Sequence, residues 1–217
     1  MKSIVISEQA RIPEWVQDHA SFRRWTRSDD FPESGRFAYL NGHLWVDITM
    51  ERLVHNRIKA EFGRGLLNLE KADKAGLYIV DRMLLTNLEV ELSTEPDGMY
   101  VSNECLESGR AVVNEGDDAI EVIGSPDMTL EIIRPTSVQK DTVHLRRLYW
   151  EAKVREYWLV DSREKHFSFD ILRHASARFV AVRKQNGWVK SQVFGREFRL
   201  VREVAVSGVS RFTLEIR

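Results

Sequence analysis

The sequence predicts an α+β domain that closes on a β-meander, and three observations carry that prediction. Residues 50–72 repeat apolar side chains at helical spacing: Val54, Ile58, Phe62, Leu66 and Leu69. A second helical stretch, at about 137–153, lies between two strand-like runs, MTLEII and EYWLVD. Beyond residue 161 only short β-type segments follow. With 217 residues the chain can bury one full core and is too short for three domains. We divide it into an N-terminal extension (1–35), a main domain (36–200) and a C-terminal strand tail (201–217).

In chain order, a short helix is expected at 17–28 and a turn at Phe31–Gly35. RFAYLNGHLWVDI follows, two β-like runs joined by Asn41-Gly42, a strong hairpin signal. Gly76 is expected to end the 50–72 helix, with β-rich segments at 77–86, 88–93 and 96–102. Residues 103–119 are acidic and punctuated by glycine, which reads as a long excursion or hairpin. The strand 127–133 is stopped by Pro135, and Thr136 or Ser137 is placed to cap the next helix. Val138, Leu145, Leu148 and Ala152 give that helix one apolar face. HFSFDILR, RFVAV, WVKSQVF, EFRLV and FTLEIR form the meander, with a turn at Gln185-Asn186-Gly187.

Composition excludes several classes. The 32 Lys and Arg balance 33 acids, so the chain is not a strongly basic coat for nucleic acid, although local basic patches remain open to it. A single cysteine, Cys105, excludes an intramolecular disulfide and a cysteine-rich zinc site. No run approaches 18 apolar residues and the first 15 residues lack a signal-peptide core, so no membrane role and a cytoplasmic location are expected. There is no P-loop and no GxGxxG.

Chemistry concentrates in two Pro-Asp sequences, Pro96-Asp97 and Pro126-Asp127, and in Glu131. Asp127 and Glu131 point to one face of the same strand, but four steps separate their Cα atoms by about 13 Å. They cannot share an ion bound at about 2 Å. Asp127 is therefore read as a turn or cap acceptor. Asp97 and Glu131 on adjacent strands, about 4.8 Å apart, can bind one divalent cation through oxygen; the alternative is a pair of solvated, edge-protecting carboxylates. His55 and Asp141 read as structural, Asp141 as partner to a nearby Lys or Arg. Tyr149, Trp150, Tyr157 and Trp158 read as packing residues.

The order of Glu95-Pro96-Asp97, SPDMTLEIIRPTS (125–137), Asp141 and LYWEAKVREYWLVD (148–161) resembles the Uma-type putative restriction endonuclease family of the PD-(D/E)XK nuclease superfamily. The likeness spans about 36–172. It implies a restriction-endonuclease-like mixed central β-sheet flanked by helices, with the N-terminal hairpin and the C-terminal meander added. It also implies hydrolysis of DNA by a magnesium or manganese ion held by Asp97 and Glu131, with Glu61 as a candidate third ligand. Nucleases of this kind often pair to cut two strands, so a homodimer is an expected assembly. The superfamily lysine two residues after the second acid is Ile133 here, and the Uma-type lysine four residues after the helix aspartate is Leu145. Lys140 is the substitute, on a polar helical face with His144 and Arg147. Arg134, Lys140, Arg146 and Arg147 face only Asp141 in sequence, a basic bias beside the proposed site. A nuclease-fold protein without catalysis, binding nucleic acid or a protein partner, is the alternative reading.

Overall fold

The computed structural model describes residues 4–7 and 10–217. Strands β1 (Ile4–Ser7) and β2 (Ala10–Ile12) form an antiparallel ribbon. Helix α1 (His19–Thr26) starts where Asp18 accepts the Ser21 amide at 2.7 Å and the Ser21 hydroxyl accepts the Asp18 amide at 2.9 Å, a reciprocal cap. Its Phe22 and Trp25 pack on Phe37 and Tyr39. Those belong to β3 (Arg36–Leu40), which turns through Asn41 (φ 45°) and Gly42 (φ 86°) into β4 (His43–Asp47). Two consecutive positive φ values are the geometry that Asn-Gly adopts most readily.

Helix α2 (Leu53–Asp73) matches the predicted helix closely, but its stop differs. Lys74, in the left-handed region at φ 51°, ends it. Gly76 instead opens β5 (Gly76–Val80), where a Cβ would lie 2.3 Å from the Val101 carbonyl oxygen; the glycine is there for strand approach. Then come β6 (Leu84–Asn87), β7 (Leu92–Thr94) and β8 (Gly98–Ser102). The glycine-punctuated stretch holds a helical turn, α3 (Asn103–Glu107), and the edge strand β9 (Ala111–Val113). Strands β10 (Glu121–Gly124) and β11 (Met128–Ile133) follow.

The helix expected at 137–153 is helical from Val138, passes through a π-helical segment, Lys140–Leu145, and continues as α4 (Arg146–Glu151). Ser137 does not cap it. Its amide-accepting hydroxyl serves Arg134 and donates to the Asp141 carboxylate. Strands β12 (Glu156–Asp161), β13 (Ser168–His174), β14 (Phe179–Ala181), β15 (Val189–Lys190), β16 (Glu197–Val204) and β17 (Ser210–Ile216) complete the chain.

The central sheet has the order β14-β13-β12-β11-β8-β5 and is mixed, because β11 and β12 run parallel while the other pairs are antiparallel. The crossover a parallel pair requires is supplied by residues 134–155, including α4. A second six-stranded sheet, β4-β3-β7-β6-β10-β9, carries the predicted hairpin, and β15-β16-β17 form a third. The mixed α+β architecture is thus as the sequence indicates, with a second large sheet beyond the one expected.

Alternation along β11 assigns its two faces. Met128, Leu130 and Ile132 enter the core shared with α2 and the third sheet, where Phe62, Trp158 and Phe198 are fully buried. Each such side chain contributes about 1.5–3 kcal/mol. Ile133 enters the opposite core, with Leu145, Leu148, Tyr149 and Tyr157. Glu131, two residues before Ile133, shares that second face. A carboxylate is thereby set into an apolar layer between the crossover helix and the sheet.

Candidate active site

β8 and β11 pair at Gly98↔Leu130, so Asp97 lies just before the first residue of β8, where that pairing stops. There the Ile132 amide lacks a strand partner on that side, and Asp97 Oδ2 accepts it at 2.8 Å. The same oxygen is 3.1 Å from His55 Nε2, from the first turn of α2. With Oδ2 occupied twice, Oδ1 has the Arg36 guanidinium at 3.6 Å as its ion-pair partner among the described residues. Burial opposes ionisation of Asp97. The His55 bond, the charges of His55 and Arg36 and the Ile132 amide outweigh it, holding the carboxyl well below the usual range.

Glu131 stands in contrast. It is 3% exposed, and its Oε1 accepts the Tyr149 hydroxyl at 2.8 Å. Desolvation pushes its carboxyl well above the carboxylate range; Lys140 opposes this, while Asp141 and Asp97 add to it. Burial alone would depress the Lys140 ammonium, but the charges of Glu131, Asp141 and Asp97 raise it above its ordinary value. Its Nζ lies 3.5 Å from Asp141 Oδ1. Asp141, in turn, is 1% exposed and bonded to Ser137. The partnership with a neighbouring cation expected from the sequence is observed.

A further set of donors comes from the chain just before α2. Glu51, His55 and Asp97 each offer a ligand atom within 4.8 Å of the others'. Arg36 bonds Glu51 at 2.5 Å and Asp81 at 2.8 Å, and Lys59 bonds the same two acids at 2.9 and 2.6 Å. His55 Nδ1 is 3.3 Å from Glu51 but unaligned for a hydrogen bond, and Glu95 Oε2, buried without a hydrogen bond, has Arg82 at 3.8 Å. Oxygen donors suit magnesium or manganese, and a mixed oxygen and imidazole set suits manganese and later metals. The residues present therefore fit a divalent ion, with Asp97 common to every arrangement.

The structure brings Asp97, Glu131 and Lys140 together electrostatically and leaves Glu61 out. Glu61 lies on the far side of α2, where Oε1 accepts the Leu214 amide at 2.7 Å and Arg64 pairs with it at 2.6 Å. The acid near Asp97 from the α2 region is Glu51, which precedes the helix. Asp127 is at the other end of β11, accepting the Ser102 amide at 2.8 Å and facing Arg110 and Arg155. Its separation from Glu131 follows the strand geometry expected. Ile133 and Leu145 are both core. Of the polar residues Lys140, His144 and Arg147, the first two lie toward Trp45, Lys140 in the cavity it lines and His144 against its ring, while Arg147 is 54% exposed beside Glu151.

Sequence reading missed His55, Glu51, Arg36 and Tyr149. Glu51 and His55 carried a signal, an acid and a histidine four residues apart across a helix start. Tyr149 carried none, since aromatic packing and hydroxyl donation look alike in sequence.

Among the cavities that flank this cluster, one of about 270 Å³ is lined by Arg36, Asp47, Glu95, Arg134 and Lys140, and one of about 400 Å³ by Arg52, His55, Arg57, Arg134 and Arg163. Arg134 belongs to both, held by Asp47 at 2.9 Å. No helix among the described residues is long and apolar enough to cross a membrane.

The Uma2 family model, described as Putative restriction endonuclease, matches residues 20–210. No curated protein matches the chain. Among solved structures, the chain is similar to the crystal structure of a putative nuclease belonging to DUF820 from Anabaena variabilis ATCC 29413. That likeness has a TM-score of 0.55 and 18% identity, and covers 73% of this chain and 83% of the other. It is a likeness of fold.

Proposed function

The chain belongs to the Uma2 family of putative restriction endonucleases, and from that membership we propose that it hydrolyses phosphodiester bonds of DNA with a bound divalent cation, magnesium or manganese. The observation that carries the reading is the division of labour on Asp97. Oδ2 is fixed by His55 and the Ile132 amide, so Oδ1 is aimed and available to a cation. Glu131, the residue before that amide, is the proposed second ligand, with one oxygen held by Tyr149. His55 then orients a ligand, as the outer partners of metal sites do.

When bound, a divalent ion polarises the phosphodiester and lowers the pKa of a water. Lys140 places a permanent positive charge where phosphate negative charge would develop, a role that needs no proton transfer. Arg134, between the two cavities, is set to clamp a phosphate oxygen. Asp141 pairs with Lys140 at 3.5 Å, and Glu131, held by Tyr149, adds negative charge near its ammonium. We place the protein in the cytoplasm and expect two copies to act where both strands of a duplex are cut.

Plasmid cleavage with magnesium or manganese tests the reading. Wild type should nick or linearise the plasmid, while Glu131→Gln and Lys140→Ala should not. The second reading, a nuclease-fold binder without catalysis, is favoured by the burial of Ile133 and Leu145 at both expected lysine positions. DNA binding without cleavage, indifferent to Glu131→Gln, would select it.

A further inference from the structure

The larger cavity sits outside the carboxylate cluster and has a charge of its own. Four separate segments line it: the start of α2 with Arg52 and Arg57, the chain after β11 with Arg134, the chain after β12 with Arg163, and the β16–β17 hairpin with Arg202. Glu164 is the acid on its lining among the described residues. Arg163 is held by Asp161 at 2.6 Å, and Arg202 donates to the Ser210 hydroxyl at 2.9 Å and lies over the Phe167 ring. Arg52 and Arg57 are exposed and, among the described residues, have no carboxylate within 4.0 Å. The first turn of α2 carries no acid and no side-chain cap, so its free amides add to the same positive field.

We propose that this cleft is a binding groove for a nucleic-acid backbone, with Arg57 and Arg202 as phosphate contacts and the C-terminal hairpin as one wall. The inference deepens the nuclease reading and rests on it for the direction of the groove. Arg134 lines both cavities, so a strand lying along the cleft would pass the Asp97 and Lys140 region at that residue. A row of arginines drawn from four segments suits a ligand with repeated charges rather than a single anion. Leu53, Val54, Val209 and Phe212 complete its lining between the arginines.

The groove can be tested without catalysis. Binding of a short fluorescent DNA duplex is followed by anisotropy in EDTA over a series of salt concentrations, for wild type and Arg57→Ala/Arg202→Ala. The double variant should bind at least about tenfold more weakly, and the slope of log affinity against log salt should fall by about 2, one per lost contact. Arg57→Glu, on the exposed face of α2, should weaken binding further at an unchanged melting temperature, which separates loss of contact from loss of fold. Unaltered affinity and slope in both variants would overturn the proposal, as would tighter binding of polyglutamate than of DNA. If wild type cleaves DNA while these variants bind normally, the groove alone fails. If wild type never cleaves but the variants lose binding and slope, the nuclease reading alone fails.

Discussion

Asp97 accepts the backbone N–H of Ile132 at 2.8 Å, so a carboxylate from the end of one strand completes the hydrogen bonding of the next. The contact ties the Asp97 carboxylate to the register of β11, and therefore to Glu131. Removing it touches fold and site together, and the two effects can be separated.

Asp97→Ala should destabilise the protein by about 1–3 kcal/mol, because the Ile132 amide and His55 lose their acceptor. Asp97→Asn keeps an acceptor and should cost less. Both should lose any rise in melting temperature on adding manganese or magnesium. A manganese-induced rise that survives in Asp97→Ala would sink Asp97 as a ligand.

Arg36 is the positive charge nearest Asp97 Oδ1, and it also bonds Glu51 and Asp81. A cation at Oδ1 competes with it. Arg36→Met should tighten manganese binding by about tenfold, or about 1.4 kcal/mol, while lowering the melting temperature of the metal-free protein. Titration calorimetry reads the affinity. Weaker binding in the variant would mean that Arg36 supports the ion instead.

Lys140→Met should reduce cleavage by about 10²-fold or more, with DNA affinity in EDTA altered far less. That difference is expected if the charge acts on the transition state rather than on the long backbone groove. Equal losses in binding and cleavage would assign Lys140 to the groove.

Acid stability has a separate source. Glu121 is buried and bonded by Arg23 through two 2.8 Å contacts and by Arg27 through a third. Burial opposes its ionisation, but these arginines and Thr86 hold its pKa at about 2. A carboxyl with a depressed folded pKa stabilises above its unfolded value of about 4.3. That contribution fades as pH falls from there toward 2. Glu121→Gln should be less stable at neutral pH and should show a shallower loss across that window. Parallel curves for the two proteins would remove Glu121 from the acid transition.

Much of the fold was legible because it rests on local signals. The alternation in MTLEII, the apolar repeat from Val54 to Leu69 and the Asn41-Gly42 turn each act over a few residues, and each element formed. The second sheet was not legible, since pairing β6 with β10 across 37 residues leaves no local trace. At the site, Asp97 and Glu131 were visible as acids among strand residues. Glu61 misled because a border position on a helix does not say which neighbour it meets, and here that neighbour is the Leu214 amide. The end of α2 likewise depended on Lys74 adopting φ 51°, which sequence left to Gly76.

The π-helical segment from Lys140 to Leu145 has a consequence for how this chain can change. Such a segment is a helix with one residue to spare, and the surplus works as an indexing notch between its two ends. Deleting a single residue within it would let the helix close up as an ordinary α-helix, rotating Lys140 by about 100° relative to Tyr149. The cation and the hydroxyl could then no longer address Glu131 at once. A lysine can thus migrate along this helix by insertion and deletion, without any substitution in the strands that hold the carboxylates.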